Sequence, residues 1–229
     1  MTFLNCGDNK LTELKIVGFT RLGRLFCRNN WLTTLDVSNC TALTTVECAD
    51  NQLETLNIIG CTAMTGLWSQ NNKLTTLDVS NNTELESLYC FNNQIESLDV
   101  SDCIALTTLW CYDNNIKGTN MDTFISSLPN KNGNICIYDS TSKTEGNVCT
   151  KSQVAALKGK RWMPYYYNWT RWEEYEGSDD TTGISATEVG NGSEIDANAV
   201  AYDLNGNRVE GWQNKKGIYI VNGKKVVVK

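Results

Sequence analysis

The sequence predicts a solenoid built on a parallel β-sheet, with few helices, followed by a small all-β domain of sandwich type. Three observations predict it. Leu11, Leu32, Leu53, Leu74, Ile95 and Ile116 recur at a step of 21 residues, and Asn9, Asn30, Asn51, Asn72, Asn93 and Asn114 keep the same step. Within each unit the apolar residues alternate as in a short strand. Beyond residue 183 two Asn-Gly pairs separate β-prone runs, the strongest short hairpin signal.

Each unit contains L-x-x-L-x-C-x-x-N-x-L, as in Leu22, Leu25, Cys27, Asn30 and Leu32, or Leu85, Leu88, Cys90, Asn93 and Ile95. The L-x-x-L-x-C segment is a short strand with one apolar face. A single turn cannot bury that face, so stacked copies are needed to build a core, and each strand pairs with the next. The asparagine column is expected to satisfy turn backbone groups that no regular ladder reaches. The other half of the unit, typified by Leu35, Val37 and Cys40, is rich in Thr and Val, which predicts a second narrow strand stack on the opposite side.

Eight of the ten cysteines lie in two columns: Cys6, Cys27, Cys48, Cys90 and Cys111, with Ser69 in the same column, and Cys40, Cys61 and Cys103, with Phe19 and Asn82. A column that accepts Ser, Asn or Phe is a packing position, so reduced structural thiols are expected.

These repeats, from residue 1 to about 118, resemble the leucine-rich-repeat family. Their 21-residue form with two L-x-x-L-x-L-like halves resembles the IRREKO-type repeat of bacterial surface proteins, with Cys in place of the third Leu. The resemblance implies a right-handed leucine-rich-repeat solenoid, and a bacterial cell-surface interaction protein of adhesin-like character.

After Ile116 the register breaks. Met121, Phe124, Ile125 and Leu128 stand at i, i+3, i+4 and i+7, a short amphipathic helix stopped by Pro129. Residues 134–139 read as one more strand. Thr150 and Gln153 form a capping box before a helix carrying Val154 and Leu157 and ending near Gly159. Residues 162–175 read as a final extended segment. Together 119–176 are expected to cap the open end of the solenoid, because an uncovered sheet edge invites aggregation.

The stretch G-S-D-D-T-T-G, 177–183, is a linker by composition. The remainder, 184–229, reads as strands at 199–203, 217–221 and 224–229, with turns at Asn205-Gly206 and Asn222-Gly223. The segments 202–209 and 216–229 resemble the C-terminal sorting domain of the type IX (Por) secretion pathway. The Pro-Asn-Pro motif of such domains is missing, since the only prolines are Pro129 and Pro164. The resemblance implies export and a place on the outer-membrane surface of a Gram-negative bacterium, or outside it.

Composition removes several function classes. The net charge is -6 and no Lys/Arg-rich run occurs, which argues against a nucleic-acid partner. No apolar run approaches the roughly 20 residues that span a bilayer, and Met1 to Asn5 carries no signal-peptide pattern. Histidine is absent, which removes the commonest general base and the Ser-His and Cys-His pairs. No C-x-x-C pair exists for zinc or redox chemistry. Ser140 and Lys143 fit S-x-x-K but lack the S-D-N and K-T-G partners. Asp36, Asp78 and Asp99 share a column with Asn57 but cannot supply the six to eight oxygens calcium requires. Asp203, Asn205 and Asn207 resemble the start of an EF-hand loop without its distal Glu. No cofactor, metal or catalytic residue is therefore expected, and concave carboxylates such as Glu47 and Asp50 keep hydrolysis in view.

One feature points to binding. In leucine-rich repeats the x positions of the strand face the concave surface. The residue between the second Leu and the Cys runs Asn5, Phe26, Glu47, Trp68, Tyr89, Trp110; the residue after the Cys runs Gly7, Arg28, Ala49, Gln70, Phe91, Tyr112, with Tyr138 continuing it in the cap. Neighbouring strands lie roughly 4.8 Å apart, so these rings form a patch of the kind that marks a binding site. The expected ligand-binding residues are Phe26, Trp68, Tyr89, Phe91, Trp110, Tyr112 and Tyr138. The expected ligand is a protein or peptide. A glycan stacked on the rings is the alternative, and cross-strand stabilisation of the sheet is the structural one. A monomer is expected.

Overall fold

The computed structural model describes residues 1–167, 172–179, 186–188, 201–202, 208–209, 217–221 and 224–228. The chain divides into two compact units, Met1–Thr181 and Thr182–Lys229.

The first unit is the solenoid. Each turn contributes one three-residue strand: β1 (Phe3–Asn5), β2 (Arg24–Phe26), β4 (Thr45–Glu47), β6 (Gly66–Trp68), β7 (Ser87–Tyr89) and β8 (Thr108–Trp110). They pair in parallel with no slip, so that Leu25, Val46, Leu67, Leu88 and Leu109 stand in one column. All five are fully buried. Their strand neighbours point the other way, as the two-residue period demands. The opposite side carries only two short strands, β3 (Thr34–Asp36) and β5 (Thr55–Asn57), and a bridge from Lys15 to Asp36. The expected second stack is thus regular over two turns only among the described residues.

The turn after each strand depends on paired Asx residues. Asp8, Asn29, Asp50, Asn71, Asn92 and Asp113 all have φ between 50° and 57°. Asn and Asp tolerate this left-handed region better than other residues with a Cβ. The next residue is the ladder asparagine, buried at Asn30, Asn93 and Asn114. Asn93 is typical: its Oδ1 accepts from Leu74 N at 3.0 Å, and its Nδ2 donates to the carbonyls of Ser69 and Cys90, each at 3.1 Å. One amide thus satisfies groups from two neighbouring turns. All ten cysteines carry free thiols, and nine are buried. Those of Cys40 and Cys61 donate to the carbonyls of Ile16 and Val37 at 3.2 and 3.1 Å. Asn82, in the same column, donates through Nδ2 to the carbonyl of Cys61.

The cap extends the same sheet. Helix α1 (Thr119–Ser127) buries Met121, Phe124 and Ile125. Strand β9 (Gly133–Asp139) then pairs in parallel with β8. Helix α2 (Lys151–Gly159) starts at the full Thr150–Gln153 capping box. Residues 162–175, expected as one extended segment, contain two strands: β10 (Trp162–Tyr167) is parallel to β9, and β11 (Trp172–Glu174) is antiparallel to β10. That reversal ends the nine-stranded sheet. Asn147 takes the place of a seventh ladder asparagine. It accepts from Ile116 N at 2.8 Å and donates to Cys111 O and Ile137 O.

The first residues of the expected linker are held in place. Ser178 pairs with Thr150, and Lys151 N donates to Ser178 O. Gly177, at φ +85°, lies so close to Lys151 that a Cβ would stand 2.6 Å from its nitrogen.

In the second unit, β12 (Ala186–Glu188), β13 (Ala201–Tyr202), β14 (Arg208–Val209), β15 (Gly217–Val221) and β16 (Lys224–Val228) form one sheet in the order β12-β16-β15-β13-β14. The two Asn-Gly turns, and the Asp203–Asn207 segment, lie outside the described residues. No helix among the described residues is long and apolar enough to cross a membrane.

Candidate binding surface

The concave face is the side of the sheet opposite the core. Its middle column, set by the strand register, runs Phe26, Glu47, Trp68, Tyr89, Trp110, Cys136. The rings of repeats four to six meet as expected. Trp68 stacks on Tyr89 with centroids 5.5 Å apart and planes 11° apart. Tyr89 meets Trp110 edge-to-face at 4.8 Å and 65°. Phe91 stacks on Tyr112 at 4.5 Å and 10°, and tilts toward Trp110 at 6.2 Å. All five are half-buried. They present a ridge of packed rings, several of whose faces are already turned to one another.

Two of the expected residues lie elsewhere. Phe26 is separated from Trp68 by the Glu47 strand and packs edge-on against Phe3 at 5.4 Å. Glu47 is held by Arg28 at 3.3 Å. Tyr138 is in register to follow Tyr112 but stacks on Tyr175 at 5.2 Å, within the cap's own cluster.

Residues outside the expected set support the ridge. Gly66 occupies the column held by Thr45, Ser87 and Thr108. A Cβ there would stand 2.4 Å from Cζ3 of Trp68, so the glycine makes room for the indole. The signal was present in the sequence as one glycine where neighbouring repeats carry Thr45, Ser87 and Thr108, two residues before Trp68. In the cap, Tyr165 stands opposite Cys136 and Met163 opposite Asn134. Neither has a periodic signature, because β10 belongs to no repeat.

The described titratable groups serve structure. Burial pushes the thiols of Cys48 and Cys90 up to about 12, so neither supplies a thiolate at neutral pH. Backbone N–H donors from Ser80 and Ser101 hold the carboxyls of Asp78 and Asp99 below the usual range. Glu145 is the exception in position. Its Oε2 accepts from Asp113 N at 2.7 Å and Asp139 N at 2.8 Å, and its Oε1 from Asn147 N at 2.8 Å. In earlier turns the N–H equivalent to Asp113 finds a carbonyl of the next strand, as Asn92 N does at Tyr112. Burial pushes Glu145 up to about 7, against the pull of these three donors. No group of three His, Cys, Asp or Glu side chains with metal-binding geometry occurs among the described residues.

A family model for leucine-rich repeats (two copies) matches residues 83–130. Among solved structures, the chain is similar to the Leptospira interrogans LRR protein LIC12759 at 20% identity and a TM-score of 0.55, over 70% of this chain and 41% of that one. It is also similar to the functional domain of InlJ from Listeria monocytogenes, described as including a cysteine ladder, at 28% identity and a TM-score of 0.40, over 60% of this chain and 39% of that one. The chain spans about two fifths of the length of each of these structures. No curated protein matches. The fold is a leucine-rich-repeat solenoid with a mostly parallel sheet and few helices.

Proposed function

We propose that this protein is an interaction module, not an enzyme, and that it binds a protein or peptide on the ridge formed by Trp68, Tyr89, Phe91, Trp110 and Tyr112. The supporting observation is the contiguity of five half-buried rings on three adjacent strands of a rigid sheet. Such a platform loses little side-chain entropy on binding and offers large apolar area. The stacking pattern favours a peptide over a glycan. A sugar needs an open ring face, and in the stacked Trp68–Tyr89 and Phe91–Tyr112 pairs one face of each ring is covered by its partner. By the resemblance of its tail to type IX sorting domains, the protein acts at or beyond the outer-membrane surface. Release of the full chain from cells, and its retention when 184–229 is deleted, would support that placement.

The test is a random peptide library and a glycan array, both applied to the full chain. Peptides should be retained and glycans not. Trp68→Ala should weaken the selected peptides by about 30-fold or more, as loss of about 2 kcal/mol at a hot spot does, and should shift the melting temperature little. Glycan capture without peptide capture would favour the carbohydrate reading. A large drop in melting temperature with unchanged binding would make the rings purely structural.

A further inference from the structure

At the cap end of the concave face lies a cleft of about 490 Å³, lined by Thr107, Thr108, Asn132, Gly133, Asn134, Lys158, Arg161, Trp162, Met163 and Tyr165. It adjoins the aromatic ridge directly. Thr108 and Trp110 are two apart on β8 and so share the concave side, roughly 6–7 Å from each other along the strand. The chain carries a net charge of -6, yet the cleft wall holds two cations and no carboxylate.

The two cations differ. Lys158 is paired with Glu174 at the rim, at 2.5 Å. Arg161 has no ion pair among the described residues. One Nη2 donates to Asn130 O at 2.7 Å, which leaves the rest of its donor fork available. Around it stand Asn132, Asn134 and the Thr108 hydroxyl, whose side chains have no hydrogen bond among the described residues. These donors line one cleft together with apolar surface from Met163 and Tyr165.

Arg161 is also held in an unfavourable conformation. It follows the last turn of α2, where glycine is the usual residue, and it has φ +67°. Every other described non-glycine residue with positive φ is Asn or Asp. A side chain kept at such a position, against its backbone preference, is the pattern found at ligand sites.

We propose that this cleft is an anion subsite that takes a carboxylate of the peptide lying on the ridge, with Arg161 as its main contact. The identity of the ligand rests on the peptide-binding reading above; the anion rests on the donors of the cleft itself. The planar guanidinium suits a carboxylate, and Asn132, Asn134 and Thr108 add neutral donors around it. An acidic residue or chain terminus at one end of the peptide would then fix the direction in which it lies across the strands.

The experiment is an NMR titration of the full ¹⁵N-labelled chain with sodium glutarate, with its uncharged analogue glutaramide, and with inorganic phosphate. The Arg161 Nε–H signal is the one that disappears in Arg161→Gln. Glutarate should shift that signal and the Asn132 and Asn134 side-chain amides saturably, and glutaramide should not. Arg161→Gln should weaken the amide response about tenfold, as loss of a charge-assisted contact does. Arg161→Gly removes both guanidinium and backbone strain; it should melt no lower than the wild type and lose the glutarate response. Trp68→Ala should leave the glutarate titration unchanged while weakening peptide capture by about 30-fold or more, so failure of the ridge and failure of the cleft give different results. The proposal is overturned by equal responses to glutarate and glutaramide, by no response, or by a response to phosphate alone. It is overturned equally if Arg161→Gly melts lower yet still binds glutarate, which would leave Arg161 as a brace for Asn130.

Discussion

Single residues carry two of the decisive choices in this molecule. Gly66 is the small member of a Thr/Ser column, and the indole of Trp68 fills the space it leaves. Gly66→Ala should push the ring off the strand. The ring is half-buried and has room to swing outward, so the expected stability loss is about 1 kcal/mol or less, below the usual cost of overpacking a closed core. Tryptophan emission should shift to the red and peptide capture should fall. An unchanged spectrum with unchanged capture would remove Gly66 from the site. Glu145 is the second. Its pKa is pushed up to about 7 from an ordinary value of 4.5, so between those values the folded state holds a proton that the unfolded chain has released. The stabilising contribution is therefore complete below about 4.5 and is lost as pH rises through about 7. Relative to Glu145→Gln, the wild type should lose roughly 1–3 kcal/mol of unfolding free energy across that interval. Denaturant midpoints of the two proteins that run parallel with pH would contradict this.

At the scale of elements, the asparagine column and the helix caps have separate energetic signatures. Asn93→Ala would leave Leu74 N–H buried without its acceptor and take one of two asparagine donors from each of the Ser69 and Cys90 carbonyls, which keep Asn72 and Asn114. The expected cost is about 1–3 kcal/mol, the cost of one unsatisfied buried group. Chemical denaturation would measure it, and a loss under 1 kcal/mol would mean that the turn is satisfied by other means. Thr150→Ala removes the capping box of α2 and should cost about 1 kcal/mol. Both features were legible in the sequence because they are local: Asn recurs at a fixed step, and Thr150 and Gln153 are three residues apart. Asn147 was not, because the insertion before it destroys the period. The αL position preceding each ladder asparagine is visible in the chain as Asp-Asn or Asn-Asn pairs, although period alone does not say which of the two turns the backbone.

For the whole molecule, the thiols and the unit boundary give the clearest expectations. Burial pushes the pKa of the Cys48 and Cys90 thiols up, and the sulfur atoms of Cys40 and Cys61 face carbonyls of the preceding turn. Titration of denatured, unreduced protein should find most of the ten thiols free; two or fewer would show that the columns are bridged. The contact division after Thr181, with Ser178 and Asp179 bonded to Lys151, moves the expected protease-sensitive segment toward residues 180–200. Limited proteolysis should leave a stable fragment that ends after Asp179, not near Tyr175. Resistance throughout that region would mean that the second unit protects it.

What the sequence determined by itself was everything that repeats. A 21-residue step places each side chain in a column, so the sheet, its register, the buried leucines, the asparagine ladder and the meeting of Trp68, Tyr89 and Trp110 all follow from position in the unit. The tertiary structure decided what happens where the period ends or where long side chains choose a direction. Tyr138 has the right register, but Tyr175 returns from β11 to stack with it. Phe26 has the right column, but Glu47 intervenes and Phe3 takes its edge. Arg161, Asn134 and Thr108 come from a loop, a cap strand and a repeat strand, and no spacing in the chain links them. Periodicity reports contacts between equivalent positions of neighbouring turns; the cap brings together positions that are equivalent to nothing, so its cleft exists only after the chain has folded.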